Sequence, residues 1–149
     1  NSKYQATEFE KYLDEDSISY KEFTASDSND IGSVVQSAIE YADVIYIPTD
    51  NTMAQNTEAI NNIALPAGVP IIAGEEGICS GCGVATLSIS YYDIGYKAGE
   101  MAYDILVNGA DISTMKVQSA PQVTKEYNAS IAEQLGVTIP DGYTAIAEE

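Results

Sequence analysis

The sequence predicts an α/β fold built on a doubly wound parallel sheet, and three observations carry that reading. Amphipathic helical segments alternate with short apolar runs; the run Val44-Ile45-Tyr46-Ile47 is apolar at every position, as a strand covered on both faces is; and polar loops, Pro48 to Thr52 and Gly74 to Gly77, follow the first two runs. Strand–helix–strand connections within one sheet are right-handed crossovers, which leave the strands parallel. A chain of 149 residues, 45% of them hydrophobic, is long enough to bury a core of its own and suits one domain.

The elements follow in order. Asn1 and Ser2 open a helix whose apolar side is Ala6, Phe9 and Leu13, with Ser2 able to cap it. No strand precedes that helix, so the strand feeding it is expected to lie in a longer protein of which this is a piece. The opening residues have neither the charge nor the apolar stretch of a signal peptide, which fits a mature or trimmed start. Residues 28–42 place Ile31, Val34, Val35, Ala38, Ile39 and Ala42 on one helix face, with Ser28 or Asn29 as cap. Residues 44–47 read as a buried strand. Met53, Ala54, Ile60, Ile63 and Ala64 fit one further helix, ended by Pro66 and Gly68. Residues 69–73 form the next strand, broken by Gly74-Glu75-Glu76-Gly77, and residues 84–89 another. Residues 91–108 make a long helix with Ile94, Ala98, Ala102, Ile105 and Leu106 along one side and Gly109 closing it. Gly95 and Gly99, one turn apart, suit either close approach to the sheet or plain packing. A strand at Val123–Tyr127 and a short helix at Ala129–Leu135 complete the pattern, and the tail beyond Pro140 reads as irregular.

Charge narrows the function by exclusion. With 23 acidic against 6 basic residues, the net charge of −17 repels phosphate backbones, so nucleic acid is not an expected partner. The acids are spread along the chain, as on a solvated surface. There is no His, which removes His-dependent catalytic triads and imidazole zinc sites. No apolar stretch approaches the roughly 20 residues a membrane helix needs. No cofactor or metal is expected.

The loops after the strands carry the candidate chemistry. Ligands of open α/β sheets sit beyond the carboxyl ends of the strands, so Asn1-Ser2, Pro48-Thr49-Asp50-Asn51-Thr52 and Gly74-Glu75-Glu76-Gly77 should meet on one rim. Ser2 and Thr52 head helices whose free N–H groups favour a carboxylate, and Asp50, Glu75 or Glu76 can hold an ammonium. Together they suit a zwitterion; singly, each is also explained as a cap, a solvated turn residue or a loop acid. Among 11 tyrosines, Tyr91 and Tyr92 stand at a strand end where they could flank an aromatic ligand, although packing explains them too. Cys79 and Cys82 have the spacing of a redox pair but fall in what reads as a Gly-rich loop before a strand, leaving an incidental pair, a local disulfide, or redox or metal chemistry open.

At these residues the chain resembles a known family. Tyr46-Ile47-Pro48-Thr49-Asp50-Asn51-Thr52, Ala73-Gly74-Glu75-Glu76-Gly77, the stretch from Ala85 to Gly95, and the closing stretch from Asn128 to Pro140 are similar to ABC transporter substrate-binding proteins of the type that includes binders of tryptophan and other aromatic amino acids. The resemblance implies the second, C-terminal lobe of a two-lobed type I periplasmic-binding-protein fold over residues 1–149, with residues 110–149 including a hinge crossover and the closing helix. It further implies a small solute, an amino acid, held between the lobes; an ABC permease and the missing first lobe as partners; and an extracellular or periplasmic location with a lipoprotein anchor. The family's Asn-Ser and Pro-Thr-Asp-Asn map onto Asn1-Ser2 and Pro48 to Asn51. An effector-sensing lobe of a regulator would share this fold. A receiver-like phospho-acceptor would also place an acid such as Asp50 at a strand end, but it needs a Lys after a later strand, and the stretch from Val69 to Glu76 has none.

Overall fold

The structure, a computed structural model, describes residues 2–120 and 122–147. Helix α1 (Ser2–Glu15) is followed by an extended stretch, then α2 (Ile31–Ile39), β1 (Ile45–Ile47), α3 (Asn51–Ala54), α4 (Thr57–Ala64), β2 (Ile71–Ala73), α5 (Glu76–Cys82) and β3 (Ala85–Ile89). The long α6 (Tyr91–Leu106) and a 3-10 turn (Ile112–Thr114) lead to β4 (Val123–Tyr127), α7 (Ala129–Leu135) and β5 (Thr144–Ala145). The five strands lie in the order β1-β2-β3-β4-β5.

Strands β1, β2 and β3 are parallel, as the crossovers require, with Ile45 opposite Ile71 and Ala73 opposite Thr86. Strand β4 runs antiparallel to β3, Ile89 facing Val123, and β5 is parallel to β4. The sheet is therefore mixed at one side, and the tail expected to be irregular supplies its last strand. The core lies between the sheet and helices α2, α4 and α5: Ile31, Val35, Ile60, Ala64, Ile78, Cys79 and Cys82 pack on Ile47, Ile71 and Ala73. A smaller cluster joins Val84 to Ile131 and Ala132 of α7. On the other face α1 lays Phe9 against Tyr46, ring centroids 4.4 Å apart, while Ile72, Leu87 and Ile89 stay partly open.

Several expectations are corrected. Neither Ser28 nor Asn29 caps α2: an Asx turn, Asn29 N–H to Asp27 Oδ1 at 2.7 Å, occupies that stretch, so the helix starts after Asp30. The single helix expected from Met53 to Ala64 is two, parted at Asn56, whose backbone (φ −126°, ψ 21°) leaves the helical region. The Cys pair lies not in a loop but on α5, because Glu75 caps a helix there. Gly95 and Gly99 do not approach the sheet, since a Cβ at either would meet open space.

Helix α6 forms for local reasons. Ser90 Oγ accepts from Asp93 N–H at 3.1 Å, Asp93 adds favourable charge in the first turn, and Gly109 turns the chain away at φ 70°. None of its residues is buried. The trailing segment folds back along it, leaving a cleft of about 320 Å³ lined by Ala98, Met101, Ala102, Ile105, Ile112 and Met115.

Candidate functional site

The carboxyl ends of the three parallel strands are Ile47, Ala73 and Ile89, and the segments leaving them define one edge. At β1 the chain passes through Pro48 and Thr49 to Asp50. Asp50 Oδ1 accepts from Thr52 N–H at 2.9 Å and from Met53 N–H at 3.1 Å, so Asp50, not Thr52, caps α3. Asn51 and Thr52 are exposed in its first turn. This capping uses one carboxylate oxygen and leaves Oδ2 available to a ligand.

At β2, Gly74 comes so close to the neighbouring loop that a Cβ there would lie 2.7 Å from the Thr49 nitrogen; only glycine permits this approach. Glu75 turns inward as the cap of α5, its two oxygens accepting from Gly77 N–H and Ile78 N–H. It is thus committed to the backbone. The Glu76 side chain is exposed, while its N–H donates to the buried Ser88 Oγ at 3.1 Å. Glu126, opposite Thr86 across the β3–β4 ladder, has its carboxyl pushed above the usual range by burial and then by the nearby Glu76. Glu126 Oε2 and the buried Thr86 Oγ1 both lack a partner among the described residues.

The loops are tied together by a side chain that no sequence pattern singles out. Gln5, in the first turns of α1, accepts from Thr49 N–H at 2.7 Å through Oε1 and donates to Thr49 Oγ1 at 3.2 Å through Nε2. Thr49 Oγ1 in turn donates to the Gly74 carbonyl at 3.1 Å. These bonds bring the start of α1, the β1 loop and the β2 loop to one place. Ser2 lies on the first turn of α1, at this edge; Asn1 lies outside the described residues. Tyr91 and Tyr92 follow β3 on the first turn of α6, both exposed, and the Tyr92 ring stacks on Tyr96 at 6.4 Å. No periodicity marks a Gln at that position, because its role is set by a partner 44 residues away.

The cysteines stand apart from this edge. Both are buried and free, their thiols pushed up to about 12, chiefly by burial, and they donate weakly to the Gly83 and Ile78 carbonyls. Such thiols behave as small core residues rather than nucleophiles.

Parallel strands ending in polar loops, with a helix start and a carboxylate on one edge, define a lobe of the open α/β class, whose ligands sit beyond the carboxyl ends of the strands. Comparison with known proteins identifies the family. The chain belongs to the ABC transporter substrate binding protein family, whose profile matches residues 1–149. It is 34% identical over 106 residues to a tyrosine-binding protein of Clostridioides difficile, a match covering 71% of this chain and 31% of that protein. Among solved structures it is similar to an ABC domain in complex with L-Trp from Streptococcus pneumonia, with a TM-score of 0.86 and 28% identity over 98% of this chain and 51% of that one. It is also similar to the ligand-free, open structure of a substrate binding protein with adhesive properties from Clostridium difficile, with a TM-score of 0.77 and 30% identity over 100% of this chain and 51% of that one. The chain thus spans about half the length of these solved neighbours and has the fold of one half of a periplasmic-type substrate-binding protein.

Proposed function

We propose that this chain is the second lobe of an extracellular or periplasmic solute-binding protein, anchored as a lipoprotein, that hands an aromatic amino acid to the permease of an ABC importer. The observation that carries the reading is the joining of the three polar segments by Gln5, Thr49 and Gly74 at the carboxyl edge of the parallel strands, where ligands of open α/β sheets bind. The names of the tyrosine-binding relative and of the neighbour holding L-Trp support an aromatic amino acid. In this reading the start of α1, with Asn1 and Ser2, receives the carboxylate. The free oxygen of Asp50 receives the ammonium, and Tyr91 and Tyr92 flank the ring, with Thr49, Asn51, Thr52 and Glu76 completing a polar border and Glu75 supporting it from α5. The function is binding, with no reaction at the site.

The other half of the protein is proposed to close the cleft from the opposite side. Support comes from α6, none of whose residues is buried among the described residues and whose exposed apolar side chains would pack on that lobe. The β3–β4 pair supports the same reading: Ile89 faces Val123, so the chain leaves this sheet and returns at adjacent strands, the arrangement of a hinge.

Calorimetric titration of L-tyrosine and L-tryptophan into the full-length protein tests this. Saturable binding of either is expected, with Asp50→Asn weaker by about ten- to a hundredfold because a charge-assisted bond is lost, and Glu22→Gln, on the extended stretch after α1, as the control with little change. Binding of neither amino acid rejects the ligand class; undiminished binding by Asp50→Asn moves the ammonium contact elsewhere.

A further inference from the structure

We infer that Gln5 is a positioning residue for ligand binding, setting the distance between the start of α1 and Asp50; this rests on the ligand-binding role proposed for the rim. The case begins with donors and acceptors. The Thr49 hydroxyl has one proton, and it goes to the Gly74 carbonyl at 3.1 Å. The hydroxyl can therefore only accept from Gln5 Nε2, while Thr49 N–H can only donate to Gln5 Oε1. A reversed amide would set two donors against each other at Thr49 N–H, so the network fixes the orientation. Only a side chain offering one donor and one acceptor side by side satisfies Thr49 in this way.

The consequence for binding is geometric. The carboxylate and ammonium of an α-amino acid sit on one carbon, so the two groups that receive them must be held at a matching separation, within about 0.5 Å for a productive site. One is the start of α1 and the other is Asp50, adjacent in sequence to Thr49. Gln5 is the described side chain bonding α1 directly to that loop, and Thr49 extends the tie to Gly74, whose missing side chain lets the loops touch.

An ionised Glu at this position would break the pattern in a specific way. It would still accept from Thr49 N–H but could not donate to Thr49 Oγ1, so the hydroxyl would turn towards the carboxylate and release Gly74. A protonated Glu would again offer one donor and one acceptor.

The experiment titrates L-tyrosine and L-tryptophan into the full-length parent, Gln5→Glu and Gln5→Met from pH 7 down through the carboxylate range, reading each variant's affinity relative to the parent at the same pH. Both variants should bind about tenfold more weakly at pH 7. The Gln5→Met ratio should stay flat with pH, whereas Gln5→Glu should recover to within about threefold of the parent as its carboxyl takes up a proton. Variants that bind like the parent at pH 7, or a Gln5→Glu deficit that does not move with pH, overturn the positioning role while leaving the rim's function intact. A parent that binds neither amino acid overturns the rim's function and this inference with it. Gln5→Glu alone suffices if Gln5→Met does not fold, since the pH profile is read within one variant.

Discussion

Helices α4 and α6 both carry an apolar side at helical spacing, yet Ile60 on α4 is 0% exposed and Leu106 on α6 is 83% exposed. The first packs on the sheet between α2 and α5 and is sealed by their side chains; the second projects from the end of β3 and, among the described residues, is lined by its own trailing segment. The pattern of a helix shows that it needs a partner and nothing about which body provides it. In this chain α4 takes its partner from the five-stranded sheet, and α6 does not.

Four measurements sharpen or break this contrast. The largest effect is expected from Ile60→Ala, which removes three carbons from the closed layer and leaves a cavity, costing about 2–5 kcal/mol in chemical denaturation. Next comes Asp50→Ala, which strips two N–H groups of α3 of their acceptor and should cost about 1 kcal/mol; Asp50→Asn keeps a capping oxygen and should stay within a few tenths. A difference between these two identifies the stability role of Asp50 separately from any role for its charge.

Third is Glu126→Gln. The folded carboxyl titrates above its unfolded value, so the native state binds the proton more tightly and stability falls as pH rises from the unfolded value through the folded one. Replacing it with an amide should therefore stabilise at pH 7, by no more than about 0.5 kcal/mol because the group is partly solvated, and the advantage should fade at acid pH. Melting curves at pH 7 and at acid pH read this. The smallest effect is expected from Leu106→Ala in this chain by itself, within about 0.5 kcal/mol, since no close packing is lost. A loss near that of Ile60→Ala would show that α6 is covered after all.

The parallel core was legible at β1 and β2, where each strand follows a helix and is apolar throughout, from Ile45 to Ile47 and from Ile71 to Ala73; β3 instead alternates, burying Thr86 and Ser88. Helix starts were less legible, because Asp, Asn, Ser and Thr neighbours compete for the cap. Asp50 wins over Thr52, and the Asx turn at Asp27 displaces Ser28 and Asn29, by local geometry that composition does not encode. Helix α5 was missed because Gly77, Gly81 and Gly83 read as loop, while Glu75 supplies a cap and Ile78, Cys79 and Cys82 a buried side that outweigh them. The edge itself followed from topology, and the segments meet there; which of its groups are committed to backbone, as Glu75 is, depended on side-chain directions.

The facing of Ile89 and Val123 has a further consequence for how this polypeptide could be rebuilt. Because the two strand ends are direct antiparallel partners, everything between them is, for the sheet, a loop of arbitrary length. A two-residue turn such as Asn-Gly, whose backbone suits the twist of an antiparallel hairpin, could join Ile89 to Val123 without shifting any register. Residues 90–122 are in that sense a graft site: the sheet places few demands on what is carried there, and whatever is carried leaves and re-enters through a single point.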